Sequence, residues 1–373
     1  MSSIKARDLG LDFSGVTGVT NSLVDVPGVL VGMKTLIEGD GPLITGKGPI
    51  RTGVTGILPR GRERIPHRVL AGMYALNGNG EMTGSHWIRD AGYLVGPICL
   101  TNTHSVGMVH HGATRWMIEQ YKEQWEQEHL WAMPVVAETY DGVLNDINGQ
   151  HITQQDTLDA LKNASASAIE QGNVGGGTGM ICYGFKGGTG SSSRQVFVDN
   201  ENYIMGALVQ ANHGIREWFT PLGVPVGRMI KEDCVTDGDK ERGSIIVILG
   251  TNIPLLPGQL ERIARRAALG IGRGGTPGGN NSGDIFLAFS TANSKPVVPD
   301  YDTDSNRKLQ FECIDDDHLD TVYLNVVEAV EEAVINAMVS AQDMTTLRPA
   351  DQVCRAIDHA QFLEIMSRHG RRC

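Results

Sequence analysis

The chain has 373 residues, with 32 Lys and Arg against 43 Asp and Glu, and a formal net charge of −11. Binding to the phosphate backbone of nucleic acids needs clustered positive charge, and no basic run is present, so the sequence excludes a nucleic-acid partner. The hydrophobic fraction of 40% is enough for a large buried core.

Sequence signals for a membrane or for export are missing. No apolar run approaches the ~18 residues of a membrane helix, and residues 1–15 lack the apolar segment of a secretory signal. The six cysteines are scattered, without a CxxC pair. We therefore expect a cytoplasmic protein with reduced thiols and without a membrane partner.

Short apolar runs rich in β-branched residues recur between glycines, a pattern typical of strands. The predicted strands are residues 24–31, 54–58, 93–100, 133–138, 195–198, 203–210, 244–250 and 284–289. Apolar residues at helical spacing predict helices at 114–124, 157–168, 256–267 with Gly270 and Gly272 as stop signals, and 319–341. Strands and helices interleave throughout, which favours an α/β architecture of sheets covered by helices.

Two short motifs resemble ligand sites without completing them. Residues 41–47 match the start of a Walker A loop, but Gly48 occupies the position of the magnesium-binding Ser or Thr, and Pro49 disfavours the following helix. An ordinary glycine-rich connection is favoured. His110 and His111 lack metal-ligand spacing and a carboxylate partner, so a structural or surface pair is favoured.

Glycine is unusually frequent, with 47 residues, and is densest at residues 175–179 and 187–190. Neither cluster fits the GxGxxG pattern of a dinucleotide site. Such clusters let two backbones pack closely or let one backbone approach a ligand. The sequence leaves both alternatives open.

The Gly243–Ser244 junction follows a charged run, 231–243, which we expect to be an exposed loop. Ser244 opens the most strand-like segment of the chain, where its hydroxyl can attack the carbonyl group before it. Cleavage by acyl shift and hydrolysis would leave Ser244 as a new amino terminus. Its α-amine, with a reference pKa near 7.7–8.0, can then share the general-base role.

A second polar group, Ser282 and Asp284, lies where a turn feeds a strand. Residues two apart in an extended chain point to the same side. The carboxylate can therefore orient a hydroxyl that in turn contacts a nucleophile, as in a catalytic triad. The alternative is that both side chains cap backbone amides at the strand entry.

Six blocks in order along the chain resemble the L-aminopeptidase D-amidase/esterase family, which includes the β-peptidyl aminopeptidases. The blocks are residues 21–28, 77–84, 100–107, 172–180, 243–247 and 282–284. The resemblance implies an αββα sandwich like that of N-terminal nucleophile hydrolases, with altered connectivity shared with the ornithine acetyltransferases. It also implies one catalytic domain, 1–373, that cuts itself between Gly243 and Ser244 into chains 1–243 and 244–373. The processed αβ units are expected to form a homo-oligomer.

The same resemblance assigns roles to individual residues. Ser244 is the expected nucleophile, Ser282 and Asp284 are its supporting hydroxyl and acid, and Asn212 stabilises the oxyanion. Tyr140 is expected near the same site, and Glu138 is expected to receive the free amine of the substrate. The alternatives are purely structural roles: a turn residue for Asn212, a core residue for Tyr140 and a solvated strand end for Glu138.

The sequence thus predicts a self-processing serine aminopeptidase that acts on short peptides, amides and esters without a metal or another cofactor. Whether it prefers L-α-, D-α- or β-amino acids is left open. Two alternatives remain. One is an acyltransferase of the ornithine acetyltransferase type, and the other is an unprocessed protein that binds a phosphate ligand through its glycine-rich loops.

Overall fold

The computed structural model describes residues 3–127, 130–235, 241, 243–297 and 308–372. Its strands are β1 (Leu30–Glu38), β2 (Ile50–Leu58), β3 (His67–Ala75), β4 (Tyr93–Leu94), β5 (Ile98–Asn102), β6 (Val135–Thr139), β7 (Ile181–Cys182), β8 (Phe185–Lys186), β9 (Gly188–Val198), β10 (Glu201–Asn212), β11 (Ser244–Thr251), β12 (Ile285–Pro296), β13 (Met344–Leu347) and β14 (Ala350–Cys354). Its α-helices are α1 (Ser85–Ala91), α2 (Val106–Gln120), α3 (Lys122–Gln127), α4 (Gln154–Lys162), α5 (Val226–Met229), α6 (Pro257–Arg273), α7 (Leu319–Val339) and α8 (His359–Arg368). None of the described helices is both long and apolar enough to cross a membrane.

Two large sheets organise these strands. One has the order β1-β2-β5-β6, with only its β5–β6 pair parallel. The other has the order β4-β3-β12-β11-β10-β9, with only its β11–β12 pair parallel. Strands from both sides of the Gly243–Ser244 junction therefore lie next to each other in the six-stranded sheet.

Three apolar clusters show how the layers stack. In β11, Ile245, Val247 and Leu249 pack with α6 and α7, whereas Ile246 and Ile248 pack against residues of the four-stranded sheet. The outer face of the four-stranded sheet packs with α2 and α4. Alternate strand residues thus face alternate layers, which is why buried strands read as continuous apolar runs. The layer order is helix, sheet, sheet, helix, as predicted.

Helix α7, predicted at 319–341, is confirmed at Leu319–Val339. Helix α6 does not stop at its glycines but runs through both of them to Arg273. Gly270 is a packing residue, because a Cβ atom added there would lie 2.6 Å from Val330 Cβ on α7. The predicted stop signal is instead the point where two helices approach closely.

Other boundaries differ from the sequence prediction. The strand predicted at 24–31 is wrong: Leu23–Asp25 forms a 3-10 turn, Gly28 has φ +87°, and the strand begins at Leu30. Helix α4 begins earlier than the predicted 157, because Thr153 and Asp156 form a capping box. The Walker-like residues 41–47 connect β1 to β2, so a strand follows them instead of a helix.

Candidate active site

Ser244 lies at the start of β11 and is buried, with 6% of its surface exposed. The antiparallel register places it directly opposite Asn212, the last residue of β10. Directly opposed residues have Cβ atoms about 4.5–5.5 Å apart. By the alternation of β11, the Ser244 side chain points toward the four-stranded sheet. The hydroxyl and the amide therefore share one end of the space between the sheets.

The peptide bond before Ser244 is pressed against the end of β10. A Cβ atom added to Gly243 would overlap the carbonyl oxygen of Asn212, so only glycine fits at this approach. The glycine before the serine thus has a steric reason. It lets the backbone of residue 243 lie against β10, which carries Asn212, the candidate hydrogen-bond donor to the oxyanion.

Ser282 and Asp284 form a second part of the site. Ser282 Oγ donates a hydrogen bond to Asp284 Oδ1 at 2.5 Å, and the same carboxylate oxygen accepts one from Ile245 N at 3.2 Å. One part of each alternative is therefore observed, because Asp284 orients the Ser282 hydroxyl and also accepts a strand amide. Between them, Gly283 N donates to Ser244 Oγ at 3.1 Å. That a Ser282 hydroxyl contact activates Ser244 stays a prediction.

Asn77 holds Asp284 from the other side, a role that the sequence alone does not predict. Asn77 Nδ2 donates to Asp284 Oδ2 at 3.0 Å, and Asp284 N donates to Asn77 Oδ1 at 2.5 Å. The contact exists because Asn77 follows β3, which pairs with β12. β3 was itself not predicted, so only the motif at 77–84 signalled this residue.

Asn212 is fixed by hydrogen bonds at both ends of its side-chain amide. Its Oδ1 accepts from Ile181 N at 2.8 Å, and its Nδ2 donates to the carbonyl oxygen of Tyr140 at 3.1 Å. An amide nitrogen carries two hydrogens, so one donor remains for another acceptor. Asn212 lies in a strand, so the turn-residue alternative is wrong.

Tyr140 joins the site through its backbone contact with Asn212, while its ring lies near solvent. Its side chain packs edge-on to the ring of His104, with centroids 6.4 Å apart, and 41% of the residue is exposed. The core-residue alternative is therefore wrong. The exposed ring is accessible to a ligand that enters from solvent.

Glu138 is buried, with 4% exposure, so the solvated-strand alternative is also wrong. Its Oε1 accepts from Glu81 N at 2.9 Å, and its Oε2 accepts from the Thr103 hydroxyl. Gly80 lies between this carboxylate and Gly283: an added Cβ would lie 3.3 Å from Glu138 Oε1 and 3.1 Å from Gly283 Cα. Glu138 thus adjoins the segment whose amide contacts Ser244.

Burial dominates the electrostatics of both acids. It raises the pKa of Glu138 above its usual range, while the hydrogen bonds from Thr103 and Glu81 oppose the rise. Burial also raises the pKa of Asp284, against the hydrogen bonds from Ser282, Asn77 and Ile245 N. A carboxylate in such a setting gains strongly from a cationic partner.

The glycine cluster at 175–177 is filled by protein groups instead of facing an open cleft. Gly175 N and Gly176 N donate to the hydroxyls of Thr35 and Thr55 at 2.9 and 3.1 Å, and Gly177 N donates to Val174 O at 3.1 Å. Because these amides are engaged, they cannot cradle a phosphate. The close-packing alternative explains this cluster.

A comparison with protein families matches residues 21–350 to the model of peptidase family S58. Among curated proteins, the chain is 43% identical to the β-peptidyl aminopeptidase BapA of Sphingosinicella microcystinivorans, over 98% of this chain and 93% of that protein. These relatives support the peptidase prediction and not the acyltransferase alternative.

Comparison with solved structures also supports the peptidase prediction. The L-aminopeptidase D-Ala-esterase/amidase of Ochrobactrum anthropi, described as a prototype serine aminopeptidase with a variant Ntn hydrolase fold, is 50% identical with a TM-score of 0.93, covering 99% of each chain. A β-aminopeptidase from Burkholderia sp. is 40% identical with a TM-score of 0.89, covering 99% of this chain and 100% of that one. The predicted Ntn-like fold is confirmed, while the likeness to ornithine acetyltransferases stays a prediction.

Proposed function

The chain belongs to peptidase family S58, and on that premise we propose that Ser244 is the nucleophile of a self-processing aminopeptidase. The observation that carries the proposal is the position of its buried hydroxyl, opposite Asn212 and hydrogen-bonded to Gly283 N at 3.1 Å. The substrates are short peptides, amides and esters with a free amino terminus, and the residue released is an α- or β-amino acid.

The first reaction is the cut of the chain itself. Ser244 Oγ attacks the carbonyl carbon of Gly243, and the remaining Asn212 Nδ2 hydrogen donates to the oxyanion. The C–N bond then breaks as the Gly243 acyl group passes to Oγ, and the freed nitrogen takes up a proton. Water hydrolyses this ester, leaving a carboxylate on Gly243 and a free α-amine on Ser244.

The second reaction repeats this chemistry on a substrate. The new α-amine of Ser244 accepts the proton of its own hydroxyl as Oγ attacks the substrate carbonyl. Glu138 binds the protonated amine of the substrate through a charge-assisted hydrogen bond. The leaving amine or alcohol departs with a proton, and water then releases the amino acid from Oγ. Ser282 and Asp284 hold the segment whose amide contacts Oγ.

The test is the variant Ser244→Ala, which removes the attacking atom and little else. We expect an intact chain on denaturing electrophoresis and no detectable release of p-nitroaniline from L-alanine or β-alanine p-nitroanilide. The matched control is Ser290→Ala, a buried serine of the same sheet whose Oγ donates to Ile253 O at 2.6 Å. It should be cut and active. Hydrolysis by Ser244→Ala at the wild-type rate would overturn the proposal.

The single catalytic domain, cut into chains 1–243 and 244–373, is part of the same proposal. Strands β10 and β11 pair over eight residues across the proposed cut, so both chains would remain in one sheet. The homo-oligomer of processed units and the cytoplasmic location stay predictions from the sequence.

A further inference from the structure

A buried carboxylate lies just before the proposed cut. The charged run 231–243 is predicted to be an exposed loop, and Lys231, Glu232 and Asp233 are exposed. Residues 236–240 and 242 lie outside the described part of the chain. Glu241 departs from the expectation, because only 5% of its surface is exposed.

Two backbone amides hold this carboxylate. Gly214 N donates to Glu241 Oε1, and Gly279 N donates to Oε2 at 2.8 Å. A Cβ atom added to Gly279 would overlap Oε2, so glycine is what permits this approach. Burying a carboxylate is costly unless donors of this kind compensate it, and the compensation here is local and specific.

The two amides belong to the two segments that build the site. Gly214 follows Asn212 by two residues, and Gly279 precedes Ser282 by three. The carboxylate therefore ties the chain before the cut both to the oxyanion donor and to the Ser282–Asp284 pair. On the other side of the cut, Ser244 is fixed by the pairing of β11.

The chain is thus fixed close to the scissile bond on both sides, at Glu241 before it and at Ser244 after it. Only two residues separate Glu241 from the proposed bond, a span of at most about 7 Å in an extended chain. Within it, Gly243 lies against the carbonyl of Asn212. An intramolecular attack gains most of its rate from such fixed geometry.

We propose that Glu241 is a positioning residue for self-cleavage, holding the Gly243 carbonyl within reach of Ser244 Oγ. The inference rests on the proposed function, since it assumes the cut. Glu241 makes no contact with the reacting atoms in this role. It acts through the amides of Gly214 and Gly279, which anchor its side chain and thereby the backbone next to the bond that breaks.

The test variant is Glu241→Gln, which keeps the shape but removes the charge and turns one acceptor into a donor facing an amide N–H. We expect conversion of pulse-labelled intact chain into two fragments to slow by about tenfold or more. The melting temperature is measured in a Ser244→Ala background, where every chain is intact. The matched control is Glu331→Gln on α7. Glu331 is a buried glutamate whose carboxylate accepts a hydrogen bond from Arg273 Nη1 at 3.2 Å. It should be cut at the wild-type rate.

A second variant tests the same contact in case Glu241→Gln does not fold. Gly279→Ala leaves Glu241 unchanged but displaces its carboxylate, and it too should slow the cut. Cutting of Glu241→Gln and Gly279→Ala at the wild-type rate overturns this inference and leaves the proposed function standing. A slow cut that recovers fully at lower temperature, with a lowered melting temperature, assigns a purely structural role and also overturns it. A wild-type chain that never cuts overturns the proposed function itself.

Discussion

Four buried carboxyl groups in the candidate site and its adjoining segments have pKa values raised above their usual range, in each case chiefly by burial. They belong to Glu138, Asp141, Glu241 and Asp284. Of these, the proposed function gives Glu138 a partner that arrives with the substrate. A protonated amine next to its carboxylate favours the charged form, so substrate binding and ionisation of Glu138 reinforce each other.

Glu138→Gln therefore tests the amine site at the scale of one residue. The neutral amide loses a charge-assisted hydrogen bond, and we expect kcat/KM for an amino acid p-nitroanilide to fall by about 10- to 100-fold at neutral pH. In the wild type, kcat/KM should fall as the pH drops through the raised pKa of Glu138, because the protonated acid no longer attracts the amine. That acid limb should be absent in the variant.

The matched control is Glu81→Gln. The Glu81 side chain is exposed, and the substitution keeps the backbone N–H that donates to Glu138. It removes a carboxylate whose charge is a smaller cause of the raised pKa of Glu138 than burial. Its kcat/KM should stay within about twofold of the wild type, as is usual for an exposed polar substitution. Equal kcat/KM values for Glu138→Gln and the wild type would contradict the proposed amine site.

Single residues also show what the sequence could and could not reveal. The Gly243–Ser244 junction at the start of a strand indicates Ser244 by itself, whereas Asn212 and Glu138 are assigned only by the resemblance to a known family. Asn77 and the buried position of Glu241 were missed, because their partners lie far along the chain: Asn77 contacts a residue 207 positions away. Charge patterning predicted Glu241 to be exposed, and no local pattern announces two distant glycine amides.

At the scale of elements, the turn after β6 carries a buried acid with a structural role. Asp141 Oδ1 accepts from Asn145 Nδ2 at 3.0 Å, and Asn145 Oδ1 accepts from Arg51 N at 2.9 Å. This network fixes the turn that begins at Tyr140. Burial raises the pKa of Asp141 to about 7. The folded state therefore binds the Asp141 proton more tightly than the unfolded state does.

The sign of the pH dependence follows. The stability contributed by protonated Asp141 is fully present below its unfolded pKa and is lost as pH rises through about 7. Asp141→Asn should remove this loss and raise the free energy of unfolding at pH 8, relative to pH 5, by on the order of 2 kcal/mol. Melting temperatures at both pH values, in a Ser244→Ala background, measure it.

The control for this prediction is Asp159→Asn. Asp159 is a partly exposed acid on α4, and its Oδ2 lies 3.4 Å from Lys34 Nζ. The Gln155 hydrogen bond and Lys34 lower the pKa of Asp159, so its effect on stability should be small between pH 5 and 8. An Asp141→Asn variant with the same pH dependence as the wild type would rule out a buried, proton-binding Asp141.

Elements were predicted where the pattern was long or continuous. α7 and β11 were found because apolar residues repeat over many positions, whereas β3 was missed and the strand at 24–31 was misplaced by a Pro-Gly break. The order of strands in the sheets could not be read from the residues alone. The opposition of Ser244 and Asn212 depends on β10–β11 pairing, which is a property of the folded chain.

For the whole molecule, the proposed cut lies inside a shared architecture instead of between two units. β11 and β12 follow the cut, yet they lie between β3 and β10, which precede it. The apolar cluster beneath α6 and α7 likewise draws residues from both sides. Cleavage would therefore free the Ser244 amine while the packed sheets keep it in place.

The most direct test of this account is the intact mass of the purified wild-type protein, combined with the amino-terminal sequence of each species. We expect fragments of about 26 and 14 kDa in proportion to a chain of 40.3 kDa, with the smaller beginning Ser-Ile-Ile-Val at Ser244. A single species of 40.3 kDa that hydrolyses amino acid amides would contradict it.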